Sequence, residues 1–511
     1  MKKQLLPALI SISLFTLIAC DDKPDADSAN KAGEKAAEQV VKTAVDPATQ
    51  AETTFKTLVE GSQTYYQTMF GSAHPMIKSI TYQIDSYEKG DDTSTAVTKG
   101  TVTLNTSIEG KSSFDLLFKH NIKHDAATIA NGLIASIDSR VQKPAESNPN
   151  IDKVIENLNM TTDVKVDGQV NHQMLLQSLS IVDGDDNMLI NGLDLQSQTT
   201  LKNMAGGFGN TTLNFKGATF SDGSEKLTVE PFNFSGEYKP SGEFSFKSAT
   251  PFVMRTDELT FNIADMSGNG TMLHNKKFDV WLGKQSYQLN NIQVTSPVLP
   301  MPITIETTTV GVDTAISDKD ILSQTANISL TPADGLVNML SQGMVDISKA
   351  SINYQLDNIP ATLLSEYQHM MSEVYSNLDS TDSEEEMEKR MAGMKTRFKT
   401  MFDSAKAQGS NMALTLNLTA AEGPVTLDAN ANMRADSTVT FEQLENLESS
   451  PALLFDLLAV NANASIPALL LEKTGMQMMT GPFLQKNGDV YQAKVTTEAG
   501  QLLINGMPAP L

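Results

Sequence analysis

The chain has 511 residues, enough for two or three hydrophobic cores and too many for disorder throughout. Lysine and arginine number 38 against 61 aspartates and glutamates, a net charge of −23 that leaves no electrostatic footprint for nucleic acid and disfavours anionic membrane surfaces. A single cysteine excludes an intramolecular disulfide, and with it the disulfide-stapled secreted scaffold.

At the amino terminus, Met1-Lys2-Lys3 precede an apolar stretch from Leu5 to Ala19 and then Cys20. The stretch falls short of the ~20 residues that span a bilayer and reads as a secretory signal with a basic start and a short apolar core. Leu17-Ile18-Ala19-Cys20 matches the bacterial lipobox, whose cysteine thiol is joined to diacylglycerol before cleavage leaves it as the first residue. Residues 1–19 are therefore expected to be a lipoprotein signal peptide and Cys20 the lipidation site. Asp21 and Asp22 follow, and an aspartate at that place resembles the signal that retains lipoproteins in the inner membrane. The expected location is the inner membrane, lipid-anchored, on the periplasmic side. Residues 20–46, rich in Ala, Lys, Glu and Asp, read as a flexible tether that reaches about 80 Å when extended.

A helix is expected from Pro47 to about Phe70, with Phe55, Leu58, Tyr65 and Met69 on one stripe and Asp46-Pro47 at its start. Strands follow. Val102, Leu104, Thr106, Ile108 and then Phe114, Leu116, Phe118, His120, Ile122 recur every second residue, the period of a half-buried strand. The same alternation continues through Phe244-Phe246, Leu259-Phe261-Ile263 and Ile303-Ile305, punctuated by the turn pairs Asp167-Gly168, Asp183-Gly184 and Asp222-Gly223. The intervals are too short for crossover helices, so the sheet should be largely antiparallel. A weak echo links Leu189-Ile190-Asn191-Gly192-Leu193, Leu289-Asn290-Asn291-Ile292 and Leu356-Asp357-Asn358-Ile359. Near Thr331 the texture turns helical, with a strand around Ile352-Tyr354-Leu356 inside it. Two stripes, Leu363 to Leu378 and Met387 to Met401, step by three and four and predict a helical hairpin near 360–406. Beyond Gly409 the strand period returns, interrupted by helical intervals around 441–458 and 467–479. The fold class is thus α+β, predominantly β: an extended twisted antiparallel sheet with packed helices. Its divisions are a β-rich body at 47–330 with an amino-terminal helix, a helical insertion at 331–410, and a carboxy-terminal α+β part of the same body at 411–511.

The closing stretch 486–508, Lys-Asn-Gly-Asp-Val-Tyr-Gln-Ala-Lys-Val through Ile-Asn-Gly-Met-Pro, resembles the carboxy-terminal signature of the YdgA-like family, family 945 of bacterial domains of unknown function. Tyr87-Glu88-Lys89-Gly90 resembles the family's Tyr-x-basic-Gly segment, and His120-Asn121-Ile122-Lys123-His124 its His-x-Ile-x-His strand. The sequence departs from the pattern at Asp125, where glycine is usual, and at the amino terminus, where an uncleaved membrane anchor is commoner than a lipobox. The resemblance implies an inner-membrane protein facing the periplasm that self-associates, and it supplies no catalytic residues.

His120 and His124 are the one candidate metal pair. The period of two places both on the face of Leu116, Phe118 and Ile122, about 13 Å apart along a strand, too far to share an ion. They are expected to be satisfied polar groups at a sheet margin. Met370, Met387, Met391, Met394, Phe398 and Met401 suit packing or a self-association surface better than copper ligation. No nucleophile elbow, zincin helix or phosphate loop is present. The leading expectation is a non-enzymatic envelope protein that needs no cofactor. It would be joined to the membrane through its lipid and would bind itself as a homodimer, or another envelope component. The alternatives are a carrier of a lipid or other apolar ligand in a curved sheet, and an envelope hydrolase.

Overall fold

Asp46 starts the first helix: its carboxylate accepts from the Thr49 amide at 3.1 Å, satisfying an N–H that the helix leaves unpaired, and Pro47 needs none. The computed structural model describes residues 46–69, 77–108, 111–143, 149–223, 225–275, 277–278, 280–299, 301–376, 384–444, 450, 452–476, 483–498 and 500–509. Helix α1 runs Pro47–Met69, as the periodicity predicts.

Six strands then form a meander in which each pairs antiparallel with the next: β1 (Ile77–Glu88), β2 (Thr93–Ile108), β3 (Lys111–Lys123), β4 (Leu133–Val141), β5 (Leu158–Lys165) and β6 (Gln169–Leu176). Two short helices interrupt the chain, α2 (Ala126–Ala130) between β3 and β4 and α3 (Pro149–Asn157) before β5. Asp125 caps α2 by accepting from the Thr128 amide at 2.8 Å. Gly168 takes the left-handed backbone that the β5–β6 turn requires, as the Asp-Gly pair predicts.

Beyond β6 the strands come in collinear pairs. The hairpin β7 (Leu179–Asp183) and β8 (Asp186–Ile190) precedes β9 (Leu193–Thr200), which returns to β6. Next come β10 (Gly209–Phe215), β11 (Ala218–Asp222), β12 (Lys226–Val229) and β13 (Phe232–Tyr238). One track of pairing runs β9, β10, β13 to β14 (Glu243–Ser248), the other β8, β11, β12 to β15 (Phe252–Arg255), and β16 (Thr260–Thr271) spans both. Gly192, with a positive φ of 134°, makes the break between β8 and β9. The echoed Asn291 and Asn358 also have positive φ, 51° and 57°, and each interrupts its ladder, so the sequence echo marks a recurrent kink.

After β17 (Leu273–Asn275), long strands resume: β18 (Val280–Thr295), β19 (Ile303–Ile316), β20 (Ile321–Pro332), β21 (Ile347–Pro360), β22 (Asn411–Ala420), β23 (Gly423–Met433) and β24 (Leu458–Pro467). The chain closes with β25 (Gln485–Asn487), β26 (Val490–Glu498), β27 (Gln501–Ile504) and β28 (Met507–Pro508). β18 to β24 pair in sequence, and β24 continues to β26. All these ladders are antiparallel. The helices are α4 (Leu336–Leu340), α5 (Ala361–Ser376), α6 (Glu384–Gln408), α7 (Phe441–Leu444), α8 (Ala452–Leu457) and α9 (Ala468–Lys473). Two of them, α5 and α6, fall where the hairpin is expected. The stretch 331–410 is not helical throughout, because β21 within it pairs on both sides.

The chain divides into two compact units. The first comprises Met1–Trp281, Thr295–Leu299 and Met371–Ser380; the second comprises Leu282–Val294, Pro300–Met370 and Thr381–Leu511. In the first unit α1 lays Ala51, Phe55, Leu58 and Val59 over Ile122, Ile137, Val164 and Val170 of the meander. A second cluster joins Tyr65 and Tyr66 to Ile80, Phe118 and, from α3, Val154 and Ile155. These side chains are almost wholly withdrawn from water, Ile122 to 0% and Ile137 to 2% exposure. Burial of this kind is what stabilises the unit, at roughly 25 cal/mol per Å² of apolar surface.

Candidate functional site

Three histidines stand out in the first unit, and two of them, His120 and His172, line a cavity beneath α1. The alternation of β3 brings Leu116, Phe118, His120 and Ile122 to the covered face, while Leu117 between them stays exposed. His120 stands opposite Ala96 on β2 and Ser139 on β4, in the interior of the sheet and not at its margin as expected from sequence. Both ring nitrogens are used: Nδ1 lies 2.8 Å from Ser139 Oγ and Nε2 2.8 Å from Thr98 Oγ1. Because the Thr98 hydroxyl donates to Tyr82 Oη at 2.9 Å, Nε2 carries the proton and Nδ1 accepts from Ser139. The neutral imidazole fits that chain, and burial pushes its pKa down to about 4. Burial likewise pushes the Tyr82 phenol up to about 12.

His124 follows β3 and is 1% exposed. Its Nε2 lies 3.0 Å from Ser94 Oγ, and its Nδ1 is sealed from solvent without a hydrogen-bond partner. The two histidines therefore meet different hydroxyls and share nothing. Among the described residues, no group of three or more His, Cys, Asp or Glu side chains converges as a metal ion requires.

A third histidine, which the sequence reading missed, completes the seam. His172 on β6 faces Thr162 on β5 and Ser197 on β9, with Nδ1 2.8 Å from Thr162 Oγ1. Its Nε2 is closed to solvent and unpartnered, and burial pushes its pKa down to about 4. The only local signal was the alternation Val170, His172, Met174, Leu176. His120, His172, Tyr82, Ser139 and Thr162 line a cavity of about 70 Å³ beneath Phe55 and Ser62 of α1, with room for several waters. Among the described residues, no carboxylate lines it. The seam can carry hydrogen bonds between buried hydroxyls and imidazoles.

The Met/Phe positions are divided by the structure. Met370 is 3% exposed and so cannot contribute to a self-association surface. Met391 and Phe398 are 64% and 40% exposed on α6, and Met394 and Met401 are half-buried. The Met387 side chain lies outside the described residues, as do Cys20, Asp21 and Asp22. α6 is held to α7 by the Lys399–Glu442 ion pair and by Phe402 against Phe441, ring centroids 6.0 Å apart. Lys399 also holds the Glu442 carboxyl down to about 2. On the outer face Glu385 pairs with Lys389 at 2.6 Å, as the spacing predicts.

The second unit presents a different surface. Across β19 to β24 the register aligns Val310, Ile328, Ile352, Leu416, Leu427 and Ala464 in one rung. Two residues along, Val312, Ala326, Tyr354, Leu414, Ala429 and Ala462 form the next. The rungs continue to Ala493 and Val495 on β26. The opposite face is polar, with Asn327, Asn353, Thr415, Asp428, Asn463 and Lys494 in one rung and a hydrogen bond between Asn327 and Asn353. Neither apolar rung contains a buried residue, and Ile328 and Ile352 near the centre are 45% and 43% exposed. Here a sheet face with core composition meets solvent.

Fold and site together define an antiparallel β-sheet protein with one helix-covered unit and one unit whose apolar face is open. The family model for a bacterial protein of unknown function, DUF945, matches residues 47–480, and the chain belongs to that family. No curated protein and no solved structure matches it. Among the described residues no helix is long and apolar enough to cross a membrane.

Proposed function

We propose that the protein is a non-enzymatic component of the bacterial cell envelope that works by binding, through the open apolar face of its second unit, either its own copies or another envelope component. Cys20 anchors it by lipid to the inner membrane on the periplasmic side, and Asp21 and Asp22 keep it there. The observation that carries the binding role is the exposure of Ile328 and Ile352 within two uncharged rungs. Scattered apolar residues need no explanation on a protein surface, but a contiguous apolar patch does. The lipobox supports the compartment, as does what the resemblance to the YdgA-like family implies.

The test is photo-crosslinking in intact cells with benzoylphenylalanine in place of Ile352, and of Asn463 on the polar face as the control. A discrete adduct from position 352 alone is expected. Equal labelling from both positions, or none from 352, removes the binding role of the face.

Met391 and Phe398 favour a second contact, self-association through α6. Sedimentation of a variant carrying Met391→Lys and Phe398→Lys should show a smaller species than the parent chain.

A further inference from the structure

We infer that the outer face of the first unit holds a binding site for a phosphomonoester, built around Lys119 on β3 and Arg140 on β4. The site lies on a different unit from the open apolar face, so the two readings stand or fall separately.

The alternation that turns His120 and Ser139 inward turns their neighbours Lys119 and Arg140 outward, and both are exposed. The β3–β4 register sets these two cations directly opposite one another. Like charges so placed destabilise a ladder. The chain carries 61 acidic residues against 38 basic ones, yet among the described residues neither cation has an ion pair or a hydrogen bond. Their neighbours on the same face do: Lys99 meets Asp115 at 2.8 Å and Lys123 meets Asp138 at 3.0 Å. Two unpaired cations thus stand together between two satisfied ones.

The pair borders a concavity of about 430 Å³, lined also by Asn121, Asp138, Asn159 and Thr161. Small-molecule sites run from roughly 300 to 1,000 Å³. Among the described lining residues the only carboxylate is that of Asp138, and Lys123 compensates it. Two positive charges are left over. They select a dianion over a carboxylate, and a phosphomonoester carries about −1.5 to −2 at pH 7. The Arg140 guanidinium presents a planar fork that matches two phosphate oxygens, while Lys119 supplies a point charge on a flexible stem. The amides of Asn121 and Asn159 and the Thr161 hydroxyl are neutral donors at the same concavity. Its volume leaves room for the alcohol that carries the phosphate.

Isothermal titration calorimetry of the full-length chain, with glycerol 3-phosphate as the probe, tests the site. The parent chain should bind it. The double variant Lys119→Gln, Arg140→Gln should bind roughly tenfold more weakly or worse, with unchanged far-ultraviolet circular dichroism because both side chains are exposed. Lys247→Gln, which removes a cation from β14, should bind as the parent does. Glycerate, with one charge on a carboxylate, should bind roughly tenfold more weakly than the phosphate. Dihexanoyl phosphatidate below its micellar concentration separates the sources of the group. Tighter binding than glycerol 3-phosphate assigns the phosphate to a lipid, and equal or weaker binding to a soluble ester; both support the site. No heat with either phosphate, equal affinity in the double variant, or glycerate bound as tightly overturns the inference.

Discussion

Ile328 and Ile352 stand directly opposite one another on β20 and β21, and both keep more than two fifths of their surface in water. Ile122 and Ile137 make the same cross-strand pair on β3 and β4 and keep almost none. The pairs have the same residue types and the same ladder geometry. What differs is α1, which packs over the first pair, whereas among the described residues nothing withdraws the second pair from water.

Truncation should expose that difference. Ile122→Ala is expected to cost about 2–5 kcal/mol, the range for emptying a packed core position. Ile352→Ala removes contacts that water already interrupts and should cost less than about 1 kcal/mol. Urea denaturation followed by circular dichroism measures both, and equal losses at the two sites would falsify the contrast between covered and open faces.

The buried histidines predict acid sensitivity. His120 and His172 have folded pKa values of about 4, below the ordinary 6.5, because burial disfavours the charged ring. As pH falls from 6.5 towards 4 the unfolded chain takes up protons that the folded chain refuses. Stability present above pH 6.5 is therefore lost through this window, by about 3 kcal/mol for each ring at most, at 1.4 kcal/mol per pH unit. Urea midpoints at pH 7.5 and pH 5 should differ, and His172→Gln should reduce the difference. A parent chain with the same midpoint at both values refutes the assignment.

Two glycines should respond in opposite directions to alanine. Gly209 begins β10 at φ 155°, and a Cβ there would lie 2.2 Å from the Gln198 carbonyl oxygen across the ladder. Gly209→Ala should cost roughly 1–3 kcal/mol through the forced shift. Gly393 sits inside α6 with nothing within 4 Å, so Gly393→Ala should be stabilising by up to about 1 kcal/mol through helix propensity. Thermal unfolding reports both signs; a neutral Gly209→Ala means that the backbone yields.

The anchor is tested by labelling cells with radioactive palmitate. Cys20→Ala should abolish incorporation, and Asp21→Ser should move the protein to the outer-membrane fraction. Undiminished labelling of Cys20→Ala contradicts lipidation at that residue.

Much of the local structure was legible because backbone period and turn chemistry are local properties. The helix at Pro47, the β3 alternation, the Asp-Gly turns and the two long helices after Pro360 all follow from spacing alone. The His120 environment was half legible: period two placed it on the apolar face, but its hydroxyl partners Thr98 and Ser139 lie 22 and 19 residues away and are brought in by register. His172 was invisible for the same reason, since nothing near it in the chain marks the cavity.

By itself the sequence determined the side-chain alternation of each strand and so which residues share a face, together with the family signature and the lipobox. It could not say which apolar face would be covered, because Leu116-Phe118-Ile122 and Ile352-Tyr354-Leu356 alternate alike. Only the tertiary structure decided that. A strand's period encodes the direction of its side chains, whereas covering them depends on where a distant element lands; α1 lands on Ile122, while Ile352 keeps 43% of its surface in water.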